Sequence, residues 1–94
     1  MADLTFVRDE GRNRLNRRKH GIAFGEARTV FYDENAREYA DPDHSNTEDR
    51  FILLGLSHRL RVLVVCHCCR ESESVTRTVS ARKANRNEEA EYWS

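Results

Sequence analysis

A basic run, Asn16-Arg17-Arg18-Lys19-His20, ends at Gly21-Ile22. A second basic knot, Arg77 and then Ser80-Ala81-Arg82-Lys83-Ala84, stands near the other end of the chain. Side chains of these types can hold an anion and act on it. Fixed arginine and lysine cations stabilise negative charge that develops in a reaction, and histidine moves protons near neutral pH. Two basic knots far apart in sequence can converge on one anionic ligand. The chain shows no acidic metal cluster and no nucleotide-binding loop, so RNA or DNA backbone heads the list of ligands.

Charge is balanced overall, with 16 basic and 16 acidic residues, which argues against strong nonspecific nucleic-acid binding. Its distribution says more. Arg8 to Arg28 and Arg77 to Arg86 are basic, whereas Asp33-Glu34, Glu38, Asp41, Asp43 and Glu48-Asp49 between them are acidic. The 94 residues, 38% hydrophobic and 34% charged, predict a single domain over 1–94 with one modest core. No stretch approaches the roughly 18 apolar residues of a membrane span. Met1-Ala2-Asp3-Leu4-Thr5 lacks the features of a secretion signal, so a cytoplasmic location is expected. Cys66-His67-Cys68-Cys69 suits a reducing compartment better than a disulfide framework. A structural zinc site commonly uses two short-spaced ligand pairs, and no second pair exists beside the available His44 and His58. The cysteines read as small hydrophobes within a strand, and neither metal nor cofactor is expected.

The elements that must position these residues are a strand at Leu4 to Val7 and a helix from an Asp9 cap to Lys19, closed by Gly21. A second helix carries Phe24, Ala27, Val30 and Phe31 on one face. Ala23 stands at its cap with Glu26 three residues on, half of a capping box. Asp41 to Asn46, around Pro42, reads as a loop. Strands follow at Arg37 to Ala40, Arg50 to Leu54 and Arg61 to Cys66, with Gly55 to Leu60 as the hairpin connection between the last two. After the polar turn Glu71 to Ser74, Val75 to Ser80 is a strand with Thr76, Thr78 and Ser80 on one face and Val75, Arg77 and Val79 on the other. Asn85 to Glu88 caps a terminal helix through Trp93, expected to be partly detached. The order gives an α+β domain: two N-terminal helices on a twisted antiparallel sheet, with a C-terminal helix.

In this order the motifs resemble the BrnT family of bacterial toxins. The residues that carry the resemblance are Phe6 and Asp9, Asn16, Lys19-His20-Gly21-Ile22, Phe24, Glu26-Ala27, Val30-Phe31 and Asp33. They continue with Asp41-Pro42-Asp43-His44, Glu48 and Arg50-Phe51, Val62 to Val65, Arg77, Ser80-Ala81-Arg82-Lys83-Ala84, Glu88 and Tyr92. The resemblance spans nearly the whole chain. It implies a RelE/ParE-like fold and a metal-independent endoribonuclease toxin of a type II toxin–antitoxin pair, acting in the cytoplasm to arrest translation and growth. It also implies a BrnA-like ribbon-helix-helix antitoxin as partner, RNA as substrate, and contact with operator DNA only through the antitoxin complex.

Such a ribonuclease activates a ribose 2′-hydroxyl, stabilises charge on the phosphate and protonates the leaving 5′-oxygen. The resemblance assigns this catalysis to Lys19, His20, Arg77 and Arg82, and substrate binding to Arg17, Arg50, Lys83 and Tyr92. The sequence also admits two other readings: a catalytically degenerate toxin that only binds its antitoxin, and a nucleic-acid-binding or corepressor module. No helix-turn-helix pattern supports the last.

Overall fold

The computed structural model describes residues 5–7, 9–41, 50–70 and 75–94. The expected loop around Pro42 and turn at Glu71 to Ser74 lie outside them. Five strands form one sheet: β1 (Thr5–Phe6), β2 (Arg37–Ala40), β3 (Arg50–Leu56), β4 (Val62–Arg70) and β5 (Val75–Lys83), in the order β1-β5-β4-β3-β2. Helices α1 (Glu10–His20) and α2 (Phe24–Thr29) follow β1, and α3 (Arg86–Trp93) follows β5. No helix among the described residues is long and apolar enough to cross a membrane.

The ends of α1 are where its sequence puts them. The Asp9 carboxylate accepts the Arg12 N–H at 2.9 Å, and Gly21 adopts φ 74° while its N–H reaches the Arg17 carbonyl. The α3 capping box also forms: Asn85 and Glu88 exchange side-chain and backbone hydrogen bonds, each 2.8 Å.

The sheet corrects two expectations. It is mixed, not wholly antiparallel, because β1 pairs parallel with β5 while the other neighbours are antiparallel. A short apolar run records that it is a strand but not the direction of its neighbour. Strands β3, β4 and β5 also run longer than their apolar cores, so Ser80 to Lys83 lies within a strand. The second correction is a bulge. Cys66 pairs with Ser80, but His67 pairs with Thr78, so Val79 is an extra residue in β5. Thr76, Thr78 and Ala81 thereby share the buried face, and Ser80 joins Arg77 and Arg82 on the other.

Both sheet faces are covered in part. Ile22, Ala27, Val30, Leu53, Leu63, Val65 and Ala81 form a core under α1 and α2. Leu54, Val62, Val64 and Tyr92 form a second beneath α3. Alternate residues of β3 and β4 feed the two cores, which is why these strands read as continuous apolar runs.

Three polar contacts tie the layers. Glu26 does not complete a capping box at Ala23. It lies 5% exposed, ion-paired with Arg61 and accepting the Ser57 hydroxyl at 2.7 Å. Burial raises its pKa, but these bonds outweigh that and hold it below the usual value. Asp33 accepts the Leu56 and Asn35 N–H groups and the Tyr92 hydroxyl, the last at 2.6 Å. This anchors α3 on the sheet more firmly than the expected partial detachment. The third contact, between Asn16 and Ala81, belongs to the site below. Gly55 allows the close approach here: a β-carbon would stand 2.7 Å from Val30 and 2.9 Å from Ala36.

His67 is 1% exposed, ringed by Phe31 and Phe51, with its Nε2 3.5 Å from Glu38. Burial pushes its pKa below 6.5, against the smaller opposing pull of Glu38. The unfolded chain therefore binds this proton first as pH falls, and stability declines below about pH 6.5. The carboxylates of buried Glu26 and half-buried Asp33 lose their stabilisation only at lower pH, in the carboxylate range. The melting temperature is expected to fall between pH 7 and 5, and His67→Phe is expected to flatten that slope. Equal slopes in both proteins would assign the loss to another group. Ala23 caps α2 with extended backbone (φ −80°, ψ 147°) and no side-chain bond, so Ala23→Ser should add about 1 kcal/mol, read as a raised melting temperature.

Candidate active site

Beyond its two-residue pairing with β1, strand β5 presents an open edge, and α1 lies along it. The fastening is the Asn16 amide. Its Oδ1 accepts the Ala81 N–H at 3.0 Å, and its Nδ2 donates to the Ala81 carbonyl at 2.9 Å and the Ile22 carbonyl at 2.8 Å. One side chain thus supplies what a neighbouring strand would, at a position only 6% exposed.

This seating creates a groove between α1 and β5, about 170 Å³ in volume, lined by Arg12, Leu15, Asn16, Lys19, His20, Val79 and Ser80. Arg12, Asn16 and Lys19 stack at successive helical turns, with Leu15 and His20 beside them. The groove meets Ser80, which shares its sheet face with Arg77 and Arg82. The bulge makes that sharing possible: five residues apart in a regular strand, the two arginines would face opposite ways.

Lys19 and His20 thus reach β5 at Val79 and Ser80, and neither Arg77 nor Arg82 lines the groove. Arg77 is nearer the start of α1, where its charge helps to lower the Asp9 pKa, after the larger effect of the Arg12 N–H. Arg50 stands on the same face in the same lateral row, because Cys68 pairs with both Arg50 and Arg77. Two strand spacings separate those backbones by about 10 Å. Arg82 gives both guanidinium nitrogens to Glu88 at 2.8 Å, and that pairing raises its pKa. Arg17 is exposed on the last turn of α1 and does not line the groove. Lys83 lines a different cleft with Leu60, Arg61 and Glu89. Tyr92 is buried, its hydroxyl held by Asp33, and its pKa is pushed up to about 12 by burial and by that carboxylate.

Sequence reasoning missed Arg12, which is ion-paired with Asp9 at 3.5 Å and lines the groove beside Lys19. The signal was present: Arg12, Asn16 and Lys19 fall at i, i+4 and i+7. That face carries Leu15 as its one large apolar residue, so a search for apolar periodicity passes over it.

The arrangement, a cationic groove at the open edge of an α+β sheet, can grip a phosphodiester and place a histidine and a lysine beside it. Residues 9–88 match a family model described as ribonuclease toxin, BrnT, of type II toxin–antitoxin system. The chain belongs to this BrnT family. Membership implies an RNA substrate and an antitoxin partner. The fold is similar to the crystal structure of the Brucella abortus ribonuclease toxin BrnT, with a TM-score of 0.64 over 92% of this chain and 100% of that one, at 17% sequence identity. No curated protein sequence matches the chain.

Removing the Asn16 amide leaves buried backbone groups of Ala81 and Ile22 unpaired. Asn16→Ala should cost on the order of 1–3 kcal/mol for each group left unsatisfied, read by denaturant unfolding. Asn16→Asp keeps the acceptor but loses the donor, and should be destabilised as well. A variant as stable as the wild type would mean that α1 is held by other contacts.

Proposed function

We propose that this chain is a metal-independent endoribonuclease toxin on a RelE/ParE-like scaffold, and that its working site is the α1–β5 groove. The observation that carries this reading is the meeting of Lys19 and His20 with Ser80, on the face that also bears Arg77 and Arg82. An RNA phosphodiester laid there has cations on both sides. The ribose 2′-oxygen loses its proton to a base and attacks the adjacent phosphorus. The bond to the 5′-oxygen breaks, that oxygen takes a proton, and a 2′,3′-cyclic phosphate remains. His20 is suited to one or both proton transfers. Lys19, Arg77 and Arg12 stabilise the charge that grows on the phosphoryl oxygens. Arg82 joins them when it exchanges Glu88 for phosphate, and Arg17 and Arg50 extend the path of the RNA backbone. DNA, lacking the 2′-hydroxyl, is not cleaved. In the cell the activity arrests translation and growth in the cytoplasm. A ribbon-helix-helix antitoxin of the BrnA kind neutralises it and carries the contacts to operator DNA.

A second reading is a catalytically silent, antitoxin-binding member of the family. The pairing of Arg82 with Glu88 favours it, because one expected cation is already engaged.

Single-stranded RNA cleavage by purified protein distinguishes them. Activity should persist in EDTA and weaken as salt rises. Lys19→Ala and Arg77→Ala should each lower the rate about 100- to 1000-fold without loss of fold. Loss of cleavage in EDTA would remove the metal-independent mechanism. Full activity in both variants would move the site elsewhere, and no cleavage by the wild type would leave the silent module.

A further inference from the structure

Two helices of the molecule carry opposite charge. Along α1, Arg14, Arg17, Arg18 and Lys19 are exposed. On α3, Glu89 and Glu91 are exposed, Glu88 is half-buried, and Arg86 at its start is the only basic residue. Beside α3 runs a second groove, about 300 Å³ in volume, lined by Tyr39, Ala40, Ile52, Leu54, Val64, Glu88 and Glu91. Its floor is the apolar sheet face of β2, β3 and β4, and its rim is acidic. Arg82 engages Glu88, but the Glu91 carboxylate accepts only the Tyr39 hydroxyl, at 2.9 Å, among the bonds of the described residues.

Glu88 is engaged by Arg82, so Glu91 is the rim carboxylate that a cationic partner can reach. The groove's apolar floor and acidic rim complement a peptide that presents an apolar side chain flanked by lysine or arginine. The structure assigns this groove, we propose, as a docking site for such a segment of the antitoxin, an inference that rests on the toxin–antitoxin reading above. The apolar side chain settles on Ile52, Leu54 and Val64, and a basic neighbour pairs with Glu91. The two grooves share no lining residue, and Arg82, paired with Glu88 on the rim of this one, lies between them. The antitoxin segment is therefore held beside Arg82, and its remaining length is free to reach toward α1.

The probe is the protein encoded by the neighbouring reading frame, co-expressed and then titrated against the purified chain. Glu91→Lys reverses the rim charge on an exposed helix face, and Glu91→Gln neutralises it. Ile52→Asn makes the floor polar, with its fold checked by circular dichroism. The expected result is at least a tenfold weaker dissociation constant for Glu91→Lys and a smaller loss for Glu91→Gln, with RNA cleavage in the absence of the probe unchanged. Wild-type affinity in Glu91→Lys overturns the assignment, whatever Ile52→Asn does. Loss of binding in Lys19→Ala and Arg77→Ala but not in Glu91→Lys also overturns it, and places the partner over the catalytic groove. If the wild type cleaves RNA while the groove variants bind normally, only the docking site fails. If it neither cleaves nor binds, the toxin reading fails with it.

Discussion

The arrangement of this molecule depends on one amide. Asn16 closes the exposed edge of β5 at Ala81 and binds the Ile22 carbonyl as the chain turns from α1 toward α2. Helix α1 has almost no apolar face with which to dock, since Asn16 is its only buried residue. A helix of this kind would ordinarily drift from a sheet, because packing of an apolar stripe supplies most helical stability. Here three hydrogen bonds in a dry position replace that stripe. The rest of the helix surface is left free for cations, and the groove follows from it.

The second constraint is the extra residue at Val79. Strand periodicity alone puts Arg77 and Arg82 on opposite faces, and a reading of the sequence by alternation placed Ser80 with the threonines. The bulge reverses both placements. Nothing local announces it, because Thr78-Val79-Ser80 contains no glycine, and the register is settled by Ala81 fitting the core and Asn16 gripping its backbone. By contrast, the caps at Asp9, Gly21 and Asn85 were legible, because a cap is a contact between residues three or four apart. The apolar strands were legible for the same local reason. The parallel partner of β1, the burial of Glu26 against Arg61 and the seat of Tyr92 on Asp33 are long-range pairings, and composition holds no record of them. Lys19 and His20 stood out in the sequence as a basic run. Arg12 did not, because its place in the groove depends on how α1 is rotated against β5.

The overall balance of charge misled in one direction. A neutral chain suggests weak attraction to nucleic acid, yet cations collect along α1 and β5 while carboxylates cluster on α3. Within about a Debye length, near 8 Å at physiological ionic strength, a phosphate senses its local neighbours far more than the molecular sum. A chain of zero net charge can therefore present one surface to RNA and another to a cationic partner.

Arg82 stands where these two surfaces meet. Its bidentate pairing with Glu88 also engages the capping box of α3, so the residue serves the helix as it stands. That does not exclude it from the chemistry. Both side chains are partly exposed, 43% and 27%, so solvent screens the pair and it is worth less than a buried one. A phosphate offers the same planar fork a comparable bidentate partner, with the further attraction of the neighbouring cations. Glu88 also accepts the Asn85 N–H, a bond that does not involve Arg82. On the proposed function, the same ion pair supports α3 in the free protein and yields its cation to the RNA phosphate.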